Sequence, residues 1–295
     1  MLYGLVIPMV RSVIRLFSAD KSISSSLLNR CGAQVFRTVM ARAVYRMRPV
    51  PGKGTPGGAD WQARIGDLLG DGLVIWPDFL SADAFGEVHR EAMSLEAAAC
   101  QFPDDLPQNA LHHGPNRLQL VVLSDKCWHR FPAIRDFYED PRLVGLMQAG
   151  ERRPLGLSTG HRAFEHLVQG PESELTDPET HLHSDIFFHT HKAWLYLEDV
   201  GLEHGPLVAV KRSHLLSASQ LGYVYAESCG TNQGSRRITL EEMRRLGFEE
   251  TVLAVPKNTL VIANTCGYHR RLRGQPGKER FAIHWSLRAN PFRMF

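Results

Sequence analysis

The stretch THLHSDIFFHTHKAW, residues 180–194, holds four histidines (His181, His183, His189, His191) and one aspartate, Asp185. Imidazoles and a carboxylate so close together are the side chains of a metal site. On a strand, residues i and i+2 face the same side, so His183 and Asp185 present a nitrogen and an oxygen together. His181 shares that parity, but only His183 stands in an HxD pair with Asp185. Two strand ligands need a third from elsewhere. His269, in NTCGYHRR, follows the apolar run TLVIANT and precedes RFAIHWSLR, which makes it the candidate. Two histidines and one carboxylate leave positions open on the metal. That arrangement suits non-haem Fe(II) with a bidentate co-substrate and dioxygen. Arg280 stands eleven residues beyond His269. Its guanidinium is suited to a bidentate, charge-assisted pair with the far carboxylate of an oxo-acid co-substrate.

Such ligands need strands to hold them. After residue 155 the sequence turns into short apolar runs separated by Gly, Pro and Asn: AFEHLVQG, HLHSDIFF, AWLYLEDV, GPLVAV, NTLVIANT and RFAIHWSLR. Before them come helical patterns: WQARIGDLLG, SADAFGEVHREAMSLEAAA behind the capping Ser81, and FPAIRDFYEDPRLVGLMQAG, interrupted before Pro141. GLVIW and RLQLVVL read as strands among them. Helices followed by a run of short strands predict a mainly β fold with flanking α-helices, built on a sandwich or barrel core.

At 295 residues, 43% hydrophobic and 22% charged, the chain has the composition of a soluble globular protein with ample core. The five scattered cysteines (Cys31, Cys100, Cys127, Cys229, Cys266) form no CxxC pair. This argues against a disulfide framework and a thiolate zinc site, and favours a reducing, cytoplasmic setting. Residues 1–59 carry nine Lys/Arg and one acid, a net +8 that leaves −5 for the remainder. No nucleic-acid partner is expected.

Within that basic arm, Val10, Ile14 and Phe17 form one apolar stripe, and Phe36, Val39, Met40, Ala43 and Met47 another. Both read as amphipathic helices. PVPGKGTPGGA (49–59) reads as a linker before a domain spanning 60–295. The arm has three readings. Residues 1–48 lie on an anionic membrane surface, or act as a mitochondrial presequence leading to the matrix, or pack their stripes on the main domain or a second subunit. The apolar start MLYGLVIPMV meets Arg11 and Arg15, so neither a transmembrane helix nor a signal peptide is expected.

Taken in order along the chain, these segments resemble the phytanoyl-CoA dioxygenase family of Fe(II)/2-oxoglutarate-dependent oxygenases. HSD at 183–185 is similar to the family's HxD. AWLYLEDV…HGPLVAVKRSH (193–214) is similar to its Trp-containing strand, turn and following strand. GLVIWPDFLSADAF (72–85) is similar to its opening strand and helix, and KNTLVIANTCGYH (257–269) to the strand that delivers the distal histidine. The resemblance covers roughly residues 65–290. It implies a double-stranded β-helix, a jelly-roll, cupin-like core. It also implies His183, Asp185 and His269 as iron ligands, Arg280 as the anchor of 2-oxoglutarate, and Trp194 as a neighbour of that co-substrate. Two departures stand out: His204-Gly205 replaces the family's Asn-Gly, and Lys211-Arg212-Ser213-His214 replaces its Pro-Gly-Ser-His. Asp185 keeps the carboxylate that related halogenases replace with a small residue, so halogenation is not expected.

The expected activity is therefore hydroxylation of an unactivated C–H bond, with Fe(II), 2-oxoglutarate and O2, on a small or lipid-linked organic substrate. Arg270, Arg271 and Arg273 crowd the distal histidine and read either as a rim for an anionic substrate group or as a solvated basic turn. His189 and His191 read as substrate-facing or as structural. A non-catalytic metal- or ligand-binding protein on the same fold is the alternative. A zinc hydrolase ranks last, because no general-base Glu is evident beside the ligands as in HExxH.

Overall fold

The computed structural model describes residues 16–23, 25–50, 59–155, 159–171, 176–230 and 236–293. Twelve strands are defined there: β1 (Leu73–Trp76), β2 (Gln108–His113), β3 (Asn116–Val122), β4 (His161–Val168), β5 (His183–Ser184), β6 (His191–Tyr196), β7 (Leu207–Val210), β8 (Arg236–Arg237), β9 (Glu250–Val252), β10 (Leu260–Asn264), β11 (His269–Arg271) and β12 (Glu279–Ser286). They pair antiparallel into a seven-stranded sheet, β1-β10-β6-β12-β4-β3-β2, and a five-stranded sheet, β8-β5-β11-β7-β9. This is the predicted jelly-roll core.

Period-two alternation assigns each face of the larger sheet a separate job. On β6 and β12, Ala193, Leu195, Ile283 and Trp285 point outward into a core shared with the helices Ala59–Gly70, Ala82–Met93, Leu95–Gln101, Pro132–Glu139 and Pro141–Glu151. Trp194, Tyr196 and Ala282 point the other way, into a smaller cluster with Ala209 of β7 in the facing sheet. Burying one side chain of Leu or Phe size contributes about 1.5–3 kcal/mol. The helix side thus carries most of the stability and leaves the inner face for polar groups.

The helix starts follow local chemistry. Ser81 Oγ accepts from Ala84 N at 3.3 Å, as its position predicts. The single helix expected beyond it breaks at Ser94, whose hydroxyl donates to the Glu91 carbonyl at 2.7 Å. Asp140 ends one helix and caps the next, accepting from Arg142 N at 2.8 Å.

The arm corrects an expectation. Helix Ala33–Met47 buries Gln34, Arg37, Thr38, Ala41, Arg42, Val44 and Tyr45. Its apolar stripe faces outward instead, with Phe36, Val39 and Met47 exposed by 52, 41 and 63%. The reason lies in what the arginines find. Arg37 Nη2 donates to the carbonyls of Ser18 (2.9 Å) and Asp20 (2.6 Å), and the guanidinium sits 4.0 Å over the Phe187 ring. Arg48 Nη2 donates to Pro291 O at 2.6 Å, and Tyr45 donates its hydroxyl proton to Gly150 O at 2.7 Å. The arm thus packs on the body through its polar face. Val10 and Ile14, and the linker over 51–58, lie outside the described residues. Among the described residues, no helix is long and apolar enough to cross a membrane.

Candidate metal centre

HLHSDIFF forms a strand only at His183–Ser184, and Asp185 lies just past its end. Backbone pairing still brings the three residues together. His183 pairs with His269 across β5 and β11, and Asp185 N donates to Thr265 O at 3.0 Å. One ligand atom from each of His183, Asp185 and His269 lies within 4.8 Å of the others. Asp185 Oδ1 is 3.8 Å from His183 Nε2 and 3.7 Å from His269 Nε2.

The nitrogens are oriented from behind. His183 Nδ1 lies 2.8 Å from the His181 carbonyl, and His269 Nδ1 lies 3.0 Å from the Gly267 carbonyl. A carbonyl only accepts, so each Nδ1 carries a proton and each ring turns its Nε2 toward the centre. Burial pushes His269 down to about 4, which favours the neutral, ligating form. Burial alone would raise the Asp185 carboxyl. Lys192 and the two imidazoles override it and hold the group well below the ordinary carboxylate range. The donor set of two imidazole nitrogens and one carboxylate oxygen fits a divalent metal with positions left open.

Two neighbours of this centre were not anticipated from sequence. Lys192 Nζ holds the second oxygen of Asp185 at 2.8 Å, leaving Oδ1 turned toward the imidazoles. Its signal was available, because on β6 it shares the inward parity of Trp194. Glu179 Oε2 lies 3.2 Å from His183 Nε2 and is pulled down to about 2 by its hydrogen bond with that ring. With Nδ1 already donating to His181, this second bond needs an imidazolium. A metal on Nε2 takes the place of that proton. No sequence motif marked Glu179.

Deeper on the inner face, Arg280 donates from Nη1 to the Gly205 carbonyl, and its guanidinium lies 6.0 Å from the Tyr196 ring centroid. The turn that departs from the family's Asn-Gly keeps its glycine for a reason. Gly205 has φ 65°, and an added Cβ would stand 2.4 Å from Gln169 Nε2. Trp194 stacks on His284 with centroids 5.3 Å apart, and Glu165 lies 3.2 Å from His284 Nδ1. Burial pushes His284 down to about 4. A cavity of about 250 Å³ adjoins Asp185, with Lys21, Lys192, Ser286 and Arg288 in its wall.

The remaining candidates go elsewhere, and Arg270 and Arg271 fit neither the anionic rim nor the solvated turn. Arg270 is closed bidentately by Glu250, at 2.5 and 3.0 Å. Arg271 is buried against Asp177, at 3.1 and 2.7 Å. Arg273 is exposed on the turn after β11. His191 is fully buried on the helix side, its Nδ1 2.9 Å from Glu151. His189 faces the arm, stacked on Tyr45 at 3.8 Å. Neither histidine reaches the centre.

No protein-family model matches the sequence, and no curated protein matches it. Among solved structures, the chain is similar to the epimerase SnoN in complex with Fe3+, alpha ketoglutarate and nogalamycin RO. That match has 18% identity and a TM-score of 0.55, and covers 78% of this chain and 84% of that one. It is also similar to EctD from S. alaskensis with 2-oxoglutarate and 5-hydroxyectoine, at 14% identity and a TM-score of 0.52, over 83% of this chain and 84% of that one. Likeness at these identities establishes the fold.

Proposed function

We propose that the chain is an Fe(II)/2-oxoglutarate-dependent oxygenase, a non-haem iron hydroxylase acting on an unactivated C–H bond of a small or lipid-linked organic substrate. The observation that carries this reading is the convergence of His183, Asp185 and His269 to within 4.8 Å, with both imidazoles turned Nε2-inward by backbone carbonyls. The fold shared with SnoN and EctD, solved with alpha ketoglutarate and 2-oxoglutarate, supports it. The finer assignment to the phytanoyl-CoA dioxygenase family rests on the order and spacing of the sequence motifs.

Bound Fe(II), 2-oxoglutarate and dioxygen would supply the oxidising power for the C–H bond, with succinate and carbon dioxide as by-products. The chain's own residues bind and orient. His183 and His269 present lone pairs, and Asp185 presents Oδ1 while Lys192 restrains Oδ2. Arg280 holds the far carboxylate of the co-substrate in a charge-assisted pair. Trp194, Tyr196 and His284 wall the inner face and exclude water. Arg288 in the wall of the adjoining cavity supports an anionic group on the substrate, a role that one of the two sequence readings gave to Arg270, Arg271 and Arg273.

Anaerobic titration of the metal-free protein with Fe(II) and then 2-oxoglutarate tests the reading, with His183→Ala and Arg280→Ala beside the wild type. The expected result is a weak visible charge-transfer band that vanishes in His183→Ala and needs far more 2-oxoglutarate in Arg280→Ala. Stoichiometric iron without a band would sink the proposal and leave a binding protein on the same fold. SnoN is an epimerase on this fold. Product mass therefore decides the reaction, because hydroxylation adds an oxygen atom and epimerisation adds none.

A further inference from the structure

Between the arm helix Ala33–Met47 and the body lies a second polar constellation, opposite in character to the metal centre. A cavity of about 110 Å³ is lined by Arg42, Arg46, Arg152, His189 and His214, with four leucines, Asn264 and the ring of Tyr45 in the rest of the wall. None of its lining residues is acidic.

The arginines are incompletely paired. Arg42 is 6% exposed. Its Nη1 donates to His189 Nε2 at 2.6 Å, and its Nε has no hydrogen-bond partner among the described residues. Burial, and then the charges of Arg42 and His214, keep His189 neutral, well below the ordinary histidine range. That contact therefore uses one N–H without offsetting the charge. Arg152 enters from the end of helix Pro141–Glu151 with φ 51°, in the left-handed region that a non-glycine residue adopts only at a cost. Its Nη1 donates to the Arg46 carbonyl at 3.2 Å, its guanidinium lies 4.9 Å from the Tyr45 ring, and its Nε is also without a partner. Arg42 is the buried member of the set, and a buried cation without an anion is costly. Guanidinium forks match oxyanions.

We infer that this pocket binds a phosphate group, held by the guanidiniums of Arg42, Arg46 and Arg152. The group belongs either to a soluble phosphate ester or to a phospholipid headgroup. Phe36, Val39 and Met47 are exposed on the outward face of the same helix, an apolar surface that a lipid bilayer would contact and a soluble ester would not. No metal-centre residue lines the pocket, and the inference stands apart from the proposed oxygenase activity.

Calorimetric titration of the metal-free full chain with inorganic phosphate, at chloride-matched ionic strength, tests it against Arg46→Gln and Arg152→Gln. Arg46 is exposed and Arg152 half-buried, so both variants should fold, and their unliganded melting temperatures check this. Wild type should bind. Each variant should bind roughly tenfold more weakly or worse, the loss expected of one charge-assisted hydrogen bond. Equal binding in all three proteins, or no heat beyond the chloride control, overturns the site. Vesicles of phosphatidylcholine with and without phosphatidic acid then separate the sources. Sedimentation with the acidic vesicles alone, competed by inorganic phosphate and lost in Arg46→Gln, assigns a headgroup. Phosphate binding in wild type with no sedimentation assigns a soluble ester.

Discussion

His269 and the two arginines that follow it occupy one short strand and have opposite fates. His269 turns its Nε2 toward Asp185 Oδ1 and the His183 ring, a gathering of acceptors. Arg270 and Arg271 are each closed by a carboxylate from elsewhere in the chain. The arm pocket is the converse of the metal centre, because guanidinium N–H donors gather there without an acid. Neither residue type nor distance from a ligand separates function from scaffold. What separates them is whether the chain supplies the partner. Arginines it closes with a carboxylate belong to the fold, and arginines it leaves without one are reserved for something that binds.

This comparison breaks first, and most visibly, at Asp177. Its carboxylate is 3% exposed and accepts from Arg271 Nε and Nη2, from Asn116 Nδ2 at 2.8 Å and from Glu179 N at 2.8 Å. Asp177→Ala strands a buried guanidinium and should lower unfolding stability by about 3–5 kcal/mol in a denaturant titration. A loss below about 1 kcal/mol would mean the pair is not closed in solution. His269→Ala sharpens the same contrast from the other side. Iron affinity, measured by chelator competition, should fall at least about a hundredfold, the upper end of what even outer-sphere partners cost. The metal-free protein should lose far less stability than Asp177→Ala does. Stability and affinity falling together would mean that His269 is scaffold.

The convergence of His183, Asp185 and His269 was legible because its signal is local. His183 and Asp185 share a parity, and the apolar run before His269 announces the strand that delivers it. The two faces of β6 and β12 were not legible, since both parities of AWLY and FAIHW are mostly apolar and only the packing separates them. The arm was not legible. Helical periodicity marks the apolar stripe Phe36–Val39–Met47 without saying what it faces, and the face buried on the body is set by Arg37, Arg42 and Arg48. Their partners are backbone carbonyls, a phenyl ring and His189, some of them nearly 250 residues away in sequence. The arginines beside His269 misled for a related reason, because Glu250 and Asp177 reach them through sheet pairing and a loop rather than through sequence proximity. Lys192 carried a signal in its parity with Trp194, whereas Glu179 became visible only once the loop before β5 placed it beside His183.

The smallest expected effect is also the most direct check on how the arginines are read. Arg270 and Glu250 are partly exposed, at 18 and 21%, so their pair contributes far less than the buried Arg271–Asp177 pair. Arg270→Gln should cost about 1 kcal/mol of stability or less. It should leave iron affinity and the 2-oxoglutarate requirement unchanged. Its informative readout is KM for an anionic substrate. If Glu250 already consumes the guanidinium, KM stays where it was. Arg288→Gln, at the cavity beside Asp185, raises KM instead. A rise in KM for Arg270→Gln with none for Arg288→Gln would reverse the assignment. The Glu250 pair would then be a latch that opens when substrate arrives, and a closed pair in the free protein would no longer be grounds for assigning a residue to the scaffold.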